Sequence, residues 1–411
     1  MVLPGFDRVQ EIFVRNSTAL KTERNASIEL LKIFALALIV VGHVVQTIGS
    51  TFSYVPFSDY YVNLREVTDQ FRFLALSMLR YCGNLGNTVF FICSAWFFLD
   101  NNTVNKKKIF MLLMDIWTVS VLILAAVLII GHRTVVKSLV LMSLFPTTFE
   151  NNWYLSCYLI FYAIHPLLNQ IIDRCGQKTL FRLNAAAIVL YFIIGFATCL
   201  TRYLFAEGTT FFSSRLILWT VIYFVLASLK RYGNERWSDS KFNAALAVIG
   251  FIGYFGLVCV MNLIGSRNGR FYDSLQIWRV DNNPFMVLLA LGLFGFAKNR
   301  EFRSRQINYV AKLAPFIYII HENRILRGIY RPEMWQYVYT RFGYDHVIGW
   351  VLILALLVFA FGFLCSVLYY EGVRRLTVPV YSGLYSALAG KWIAFENRIL
   401  KTKPERETSG K

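Results

Sequence analysis

Apolar runs of about twenty residues recur from residue 28 to residue 370, and no other feature constrains the fold of this chain as strongly. Some 20 apolar residues in a helix cover the ~30 Å hydrocarbon core of a bilayer. A backbone that crosses this core must satisfy its own hydrogen bonds. The expected fold is therefore all-α: a polytopic integral membrane bundle of about ten transmembrane helices. The runs lie at 28–49, 80–99, 109–131, 153–172, 183–200, 211–229, 242–264, 284–297, 307–326 and 347–370. The eighth is short. The stretch 135–147 is apolar but brief, which suits an interfacial or re-entrant segment.

Charge supports the same reading. Charged residues make up 16% of the chain, against ~25% in an average soluble protein. The formal net charge is +18, which in a soluble chain would suggest nucleic acid. Here the basic residues fall in alternate segments: the tail 1–27, then Lys106, Lys107 and Lys108, then Arg174, Lys178 and Arg182. Lys230, Arg231, Arg236 and Lys241 come next, followed by Lys298, Arg300, Arg303 and Arg305 and by the tail after 370. By the positive-inside rule these segments face the cytosol, which places both termini inside and leaves no nucleic-acid partner to invoke. Three units follow: a cytosolic tail 1–27, a transmembrane domain 28–370 and a cytosolic tail 371–411, whose end, 399–411, is expected to be disordered. Residues 1–27 are polar, so the first run is expected to stay as an anchor. The loops 50–79, 265–283 and 327–346 are expected outside. The seven cysteines include no CxxC pair; six lie in or beside apolar runs as small hydrophobes.

Polar residues inside apolar runs carry the functional signal, because ionisable groups in a bilayer are expensive and face a cavity or a partner. In the first run Lys32 is followed after ten residues by His43. Eleven steps of 100° leave the two side chains roughly 20° apart on one helix face, about 16 Å apart along the axis. A neutral imidazole there can serve as a general base; a packing histidine and a snorkelling lysine fit equally. The ninth run holds a second histidine, His321, at matched depth, followed by Glu322, Asn323 and Arg324. Glu322 is placed to orient an imidazole or to pair with Arg324. In the second run Gly86 and Ser94 permit close helix approach. Trp153 and Tyr154 open the fourth run as an aromatic belt would. Asn282 and Asn283 precede Pro284 as a turn before a helix. No metal site, P-loop or GxSxG motif is present; His132, His165 and His346 have no partner at ligand spacing, and Asp115 is an acid without an assignment.

Taken in order, these segments resemble the bacterial acyltransferase-3 family of membrane O-acyltransferases. The resemblance rests on the basic residue, ten-residue gap and His43; on the Phe-rich segment ending at Ser94, Ala95 and Trp96; on Trp153-Tyr154-Leu155; and on Tyr318 to His321. It covers about residues 25–370. The usual first-run Arg is here Lys32, which keeps the charge but loses the bidentate fork. The usual Gly after Ser94 is Ala95.

The resemblance implies transfer of an acyl group, usually acetyl, from cytosolic acyl-CoA to a hydroxyl of a cell-surface polysaccharide or its lipid-linked precursor, in the bacterial plasma membrane. Acetyl-CoA enters as a donor substrate, with no tightly bound cofactor. His43, as base or transient acyl carrier, His321 and Glu322 are the expected catalytic residues. Lys32, Ser94, Trp153, Tyr154, Asn283 and Arg324 are expected at the substrate, and Lys106, Lys107 and Lys108 at the CoA phosphates. Two other classes compete. A flippase for a lipid-linked saccharide would use the histidines as proton relays and predicts repeated broken helices. A membrane sensory domain predicts a fused partner enzyme.

Overall fold

A computed structural model describes residues 25–48, 69–131, 135–149, 152–204, 214–233, 235–267 and 282–401. The tail 1–24, most of the loops 50–79 and 265–283, His132 and residues 402–411 lie outside the described residues. Helix is the only regular structure among those described. Each of the ten apolar runs forms helix over most of its described length. Among the described residues six helices are long and apolar enough to cross a membrane: Ala26–Thr47, Lys106–Ile130, Trp153–Arg174, Gln177–Cys199, Ser240–Ile264 and Val347–Lys391. The other runs form helices that are shorter or more polar, and the reason is physical. Pro284–Lys298 is only 15 residues and is buried along most of its length. Gln70–Phe98 carries Arg72, Arg80, Asn84 and Asn87 and packs inside the bundle.

We label the helices that build the site α1 (Ala26–Thr47), α2 (Gln70–Phe98), α3 (Lys106–Ile130), α4 (Trp153–Arg174), α5 (Arg215–Tyr232), α6 (Arg305–His321), α7 (Arg331–Phe342) and α8 (Val347–Leu368). α2 begins ten residues before the apolar run that announces it, because Asp69 caps the helix by accepting from the Arg72 backbone N–H at 2.7 Å. Phe73 and Leu76, in what reads as an outer loop, are buried. α1 and α2 touch backbone to backbone. A Cβ on Gly42 would lie 2.7 Å from Gly83 Cα, and one on Gly86 would lie 2.4 Å from the Ala35 carbonyl oxygen. This is the small-residue packing expected of Gly86, extended to Gly42, and it fixes the face on which His43 sits.

Three further stretches outside the ten runs also form helix. Within 327–346 the chain forms a π-helical turn, Leu326–Tyr330, and then α7. Trp335 anchors α7 by donating its indole N–H to the Val44 carbonyl at 2.9 Å. The segment 135–147 folds as the short helix Lys137–Leu144, with Leu139 buried against Leu124, Ile325 and Ile329. The stretch after 370, read as a tail, continues α8 through a π-helical turn into the helix Arg374–Lys401. Asp115 explains the attachment. It is buried in α3, accepts from the Tyr369 hydroxyl at 2.7 Å and pairs with Arg374 at 3.0 Å. A carboxylate inside a bundle requires such partners, and they come from a segment 254 residues away.

Candidate active site

α6 ends at His321, and the break is built from local hydrogen bonds. The backbone N–H of Glu322 closes on Tyr318 O and that of Asn323 on Ile320 O. Asn323 then caps the next turn, its side chain accepting from the Ile325 N–H at 3.0 Å. Non-helical backbone at membrane depth is tolerated where it is buried in protein or lines a cavity. This break turns Glu322 inward and brings Arg327 and Arg331 back over it.

Glu322 is the centre of the cluster and is buried. One carboxylate oxygen lies 3.0 Å from His43 Nδ1 and 3.5 Å from Arg331 Nη1, and the other lies 2.9 Å from Arg327 Nη1. Glu322 thus meets an imidazole, and Arg327 and Arg331 are cations that hold it. Arg331 also donates to the carbonyls of His43, at 3.3 Å, and His321, tying α1 to the break.

The histidines stack with ring centroids 5.4 Å apart, and His43 Nδ1 lies 3.1 Å from His321 Nε2. Their partners assign the tautomers. His321 Nδ1 lies 3.0 Å from the Ile317 carbonyl, which only accepts, so that nitrogen carries the proton and Nε2 is an acceptor. His43 Nδ1 therefore donates, to Glu322 and His321. Both nitrogens of His321 are engaged. The nitrogen left with a free lone pair is His43 Nε2, on a residue that lines a polar cavity of about 280 Å³. A carboxylate holding one imidazole nitrogen while the other keeps its lone pair is the arrangement that orients a general base. His43, His321 and Glu322 also bring potential metal-ligand atoms within 4.8 Å of one another. Arg327 and Arg331 already neutralise Glu322, so a dication there would meet two guanidinium groups, and the donor set fits proton handling better.

The structure divides the remaining expected residues. Trp153 and Arg324 line the polar cavity with His43 and Glu322. Tyr154 is buried rather than in an interfacial belt, packed against Trp219 and Tyr318, because its ring fills the space between three helices. Asn283 is buried as an N-cap, accepting from the Phe285 N–H at 2.9 Å. Ser94 donates to the Phe90 carbonyl one turn back. Neither Asn283 nor Ser94 lines the polar cavity. Lys32 pairs with Glu29 at 3.1 Å and lies 5.5 Å over Phe97. Lys230 and Lys298 lie 4.6 and 5.7 Å from the Trp96 ring. Lys106, Lys107 and Lys108 are exposed in the first turn of α3. His165 bonds the carbonyls of Tyr162 and Asn101, a structural role. Sequence reasoning missed Arg80, Arg215, Arg327 and Arg331. The signal for Arg327 and Arg331 was their i+5 and i+9 spacing from Glu322, which becomes contact only because the helix breaks.

A larger cavity of about 1310 Å³ lies on the far side of His321, between α3, α7 and α8. Its walls are nearly all apolar and include Leu122, Ile130, Ile353 and Phe361, which are exposed on the bundle surface, as suits a groove filled by lipid chains.

A helical bundle with several helices long and apolar enough to cross a membrane, and with a buried carboxylate–imidazole pair beside a polar cavity, has the architecture of a multi-pass membrane protein. The chain belongs to the acyltransferase-3 family, whose model, described as an acyltransferase domain, matches residues 25–371. No curated protein and no solved structure matches it. It is a multi-pass membrane protein of an acyltransferase family.

Proposed function

We propose that this chain is an O-acetyltransferase of the bacterial plasma membrane. It moves an acetyl group from cytosolic acetyl-CoA to a hydroxyl of a cell-surface polysaccharide or its lipid-linked precursor. The observation that carries the reading is His43, which lines the polar cavity and whose Nδ1 is held by Glu322, leaving the Nε2 lone pair free. In the reaction Nε2 takes the proton of the acceptor hydroxyl as its oxygen attacks the thioester carbonyl. Glu322 stabilises the imidazolium that forms. The tetrahedral intermediate collapses with cleavage of the C–S bond, and the thiolate leaves with the proton from Nε2. The decisive experiment compares the acetate content of surface glycans in cells with and without the protein, alongside thiol release from acetyl-CoA by the purified protein in liposomes. Equal acetate in both strains and no thiol release would reject the assignment.

The proposed topology has ten spans with both ends inside, so the donor arrives at the basic face. In a variant whose seven cysteines are replaced, a cysteine at Tyr337, exposed on α7, is expected to react with an impermeant maleimide added outside. A cysteine at Lys107 is expected to be protected. The reverse pattern would invert the orientation and remove the donor argument.

At the donor end, Lys106, Lys107 and Lys108 are proposed to attract the CoA phosphates as point charges. Changing all three to Gln is expected to raise KM for acetyl-CoA more than it lowers kcat. An unchanged KM would transfer that role to Lys230 and Lys298 beside Trp96, a partly buried group better placed to hold the nucleotide.

A further inference from the structure

The polar cavity at His43 has a charge that proton transfer does not require. Among the described residues its wall carries Arg80, Arg215, Arg324 and Arg327 against one carboxylate, Glu322, and that carboxylate is already bound by Arg327 and Arg331. The arginines converge from three elements: Arg80 from α2, Arg215 from the first position of α5, and Arg324 and Arg327 from the break after α6. Arginine presents a planar fork that matches carboxylate and phosphate oxygens. Arg215 is held in position by stacking 3.8 Å over the Trp153 ring.

An observation independent of the arginines points to a ligand. Asn87 lines the cavity, and its buried Oδ1 accepts no hydrogen bond. Buried polar atoms are nearly always paired, so an orphan beside a cavity is explained by a partner that binds there. A carbonyl-type oxygen suits a sugar hydroxyl, as the arginines suit an anion. In addition, α4 and α5 both begin at the cavity, with Trp153 and Arg215 as first residues, so the positive ends of two helix dipoles add to the field. The volume lies near the lower edge of small-molecule sites, ~300–1,000 Å³, enough for one sugar-sized group.

We propose that this cavity is the acceptor subsite and that the acceptor sugar is anionic. Its carboxylate or phosphate is held by Arg80, Arg215 and Arg324 while a hydroxyl is presented to His43 Nε2. The inference rests on the acyl-transfer reading and names the substrate class of that site.

The test uses the full chain in lipid nanodiscs and calorimetric titration with three probes that share a hexose ring: glucuronate, glucose 1-phosphate and glucose. At least one anionic probe is expected to bind about tenfold or more tightly than glucose, with affinity falling as salt rises. Preference for glucuronate or for glucose 1-phosphate identifies the anion as carboxylate or phosphate. The Arg80→Gln, Arg324→Gln double variant is expected to lose that preference while still binding coenzyme A. If the double variant fails to insert, Arg80→Lys keeps the charge, removes the fork, and is expected to weaken the anionic probe alone. Equal binding of all three probes overturns the proposal, as does undiminished anion binding by the arginine variants. Coenzyme A that competes with the anionic sugars and weakens in the same variants would make the cavity a donor-phosphate site, which also overturns it. Thiol release from acetyl-CoA is measured in parallel. Anionic-sugar binding without turnover would sink acyl transfer and keep the subsite; turnover with no preference for anionic sugars would do the reverse.

Discussion

Purified His43→Ala is expected to insert normally and to lose a factor of about 10²–10⁴ in kcat, the range a positioned general base supplies. The expectation rests on a tautomer argument. His321 has committed Nδ1 to the Ile317 carbonyl and Nε2 to His43, so one imidazole nitrogen at the site is free to take a proton, and it belongs to His43. Because the proton moves in the transition state, the loss should appear in kcat and kcat/KM alike, with KM for acetyl-CoA little changed. His321→Ala is expected to reduce activity less, through loss of the ring stacked on His43. Near-normal turnover by His43→Ala would reject it as the base. If neither substitution slows transfer, the mechanism is wrong for this chain.

The second large effect concerns Glu322, and it has two parts. Glu322→Gln keeps the volume but removes the charge that faces His43, Arg327 and Arg331. The amide no longer stabilises the imidazolium and can present an N–H to Nδ1, favouring the wrong tautomer. A drop in kcat of about 10²–10⁴ is expected, comparable to that of His43→Ala. Stability should fall as well, unlike in His43→Ala. Removing one member of a buried ion pair leaves the other uncompensated and costs about 3–5 kcal/mol. Arg331, which is itself buried, is the group left exposed to that cost. A lower Tm in detergent for Glu322→Gln, with little change for His43→Ala, would separate the two roles. A Glu322→Gln protein with normal turnover and normal Tm would show that the carboxylate neither orients the base nor anchors the break.

The legibility of the site in the sequence followed the range of the interactions. Lys32 and His43 share a helix face, a relation that helical periodicity gives directly, yet the structure places Lys32 with Glu29 and Phe97, away from the polar cavity. His321 and Glu322 stood out because polar residues are rare in apolar runs. Arg80 and Arg215 stood beside outer loops, where a basic residue has an ordinary explanation as a solvated charge. Only the fold shows that they turn toward one cavity.

The sequence by itself determined the class of fold and the helical character of the ten apolar runs, and it singled out His43, His321 and Glu322 as polar residues in apolar surroundings. Each of these follows from local rules: hydrophobic length, helical period and the cost of charge in a bilayer. Tertiary structure alone decided which imidazole nitrogen is free, which cations hold Glu322, and that the stretch after residue 370 continues as helix bound to Asp115. Those outcomes depend on a helix break that folds Arg327 and Arg331 back over Glu322. They depend equally on Gly42 and Gly83 letting two backbones touch. Contacts of this kind join residues as far as 291 positions apart, as for Trp335 and the Val44 carbonyl, a separation that no periodicity in the sequence encodes.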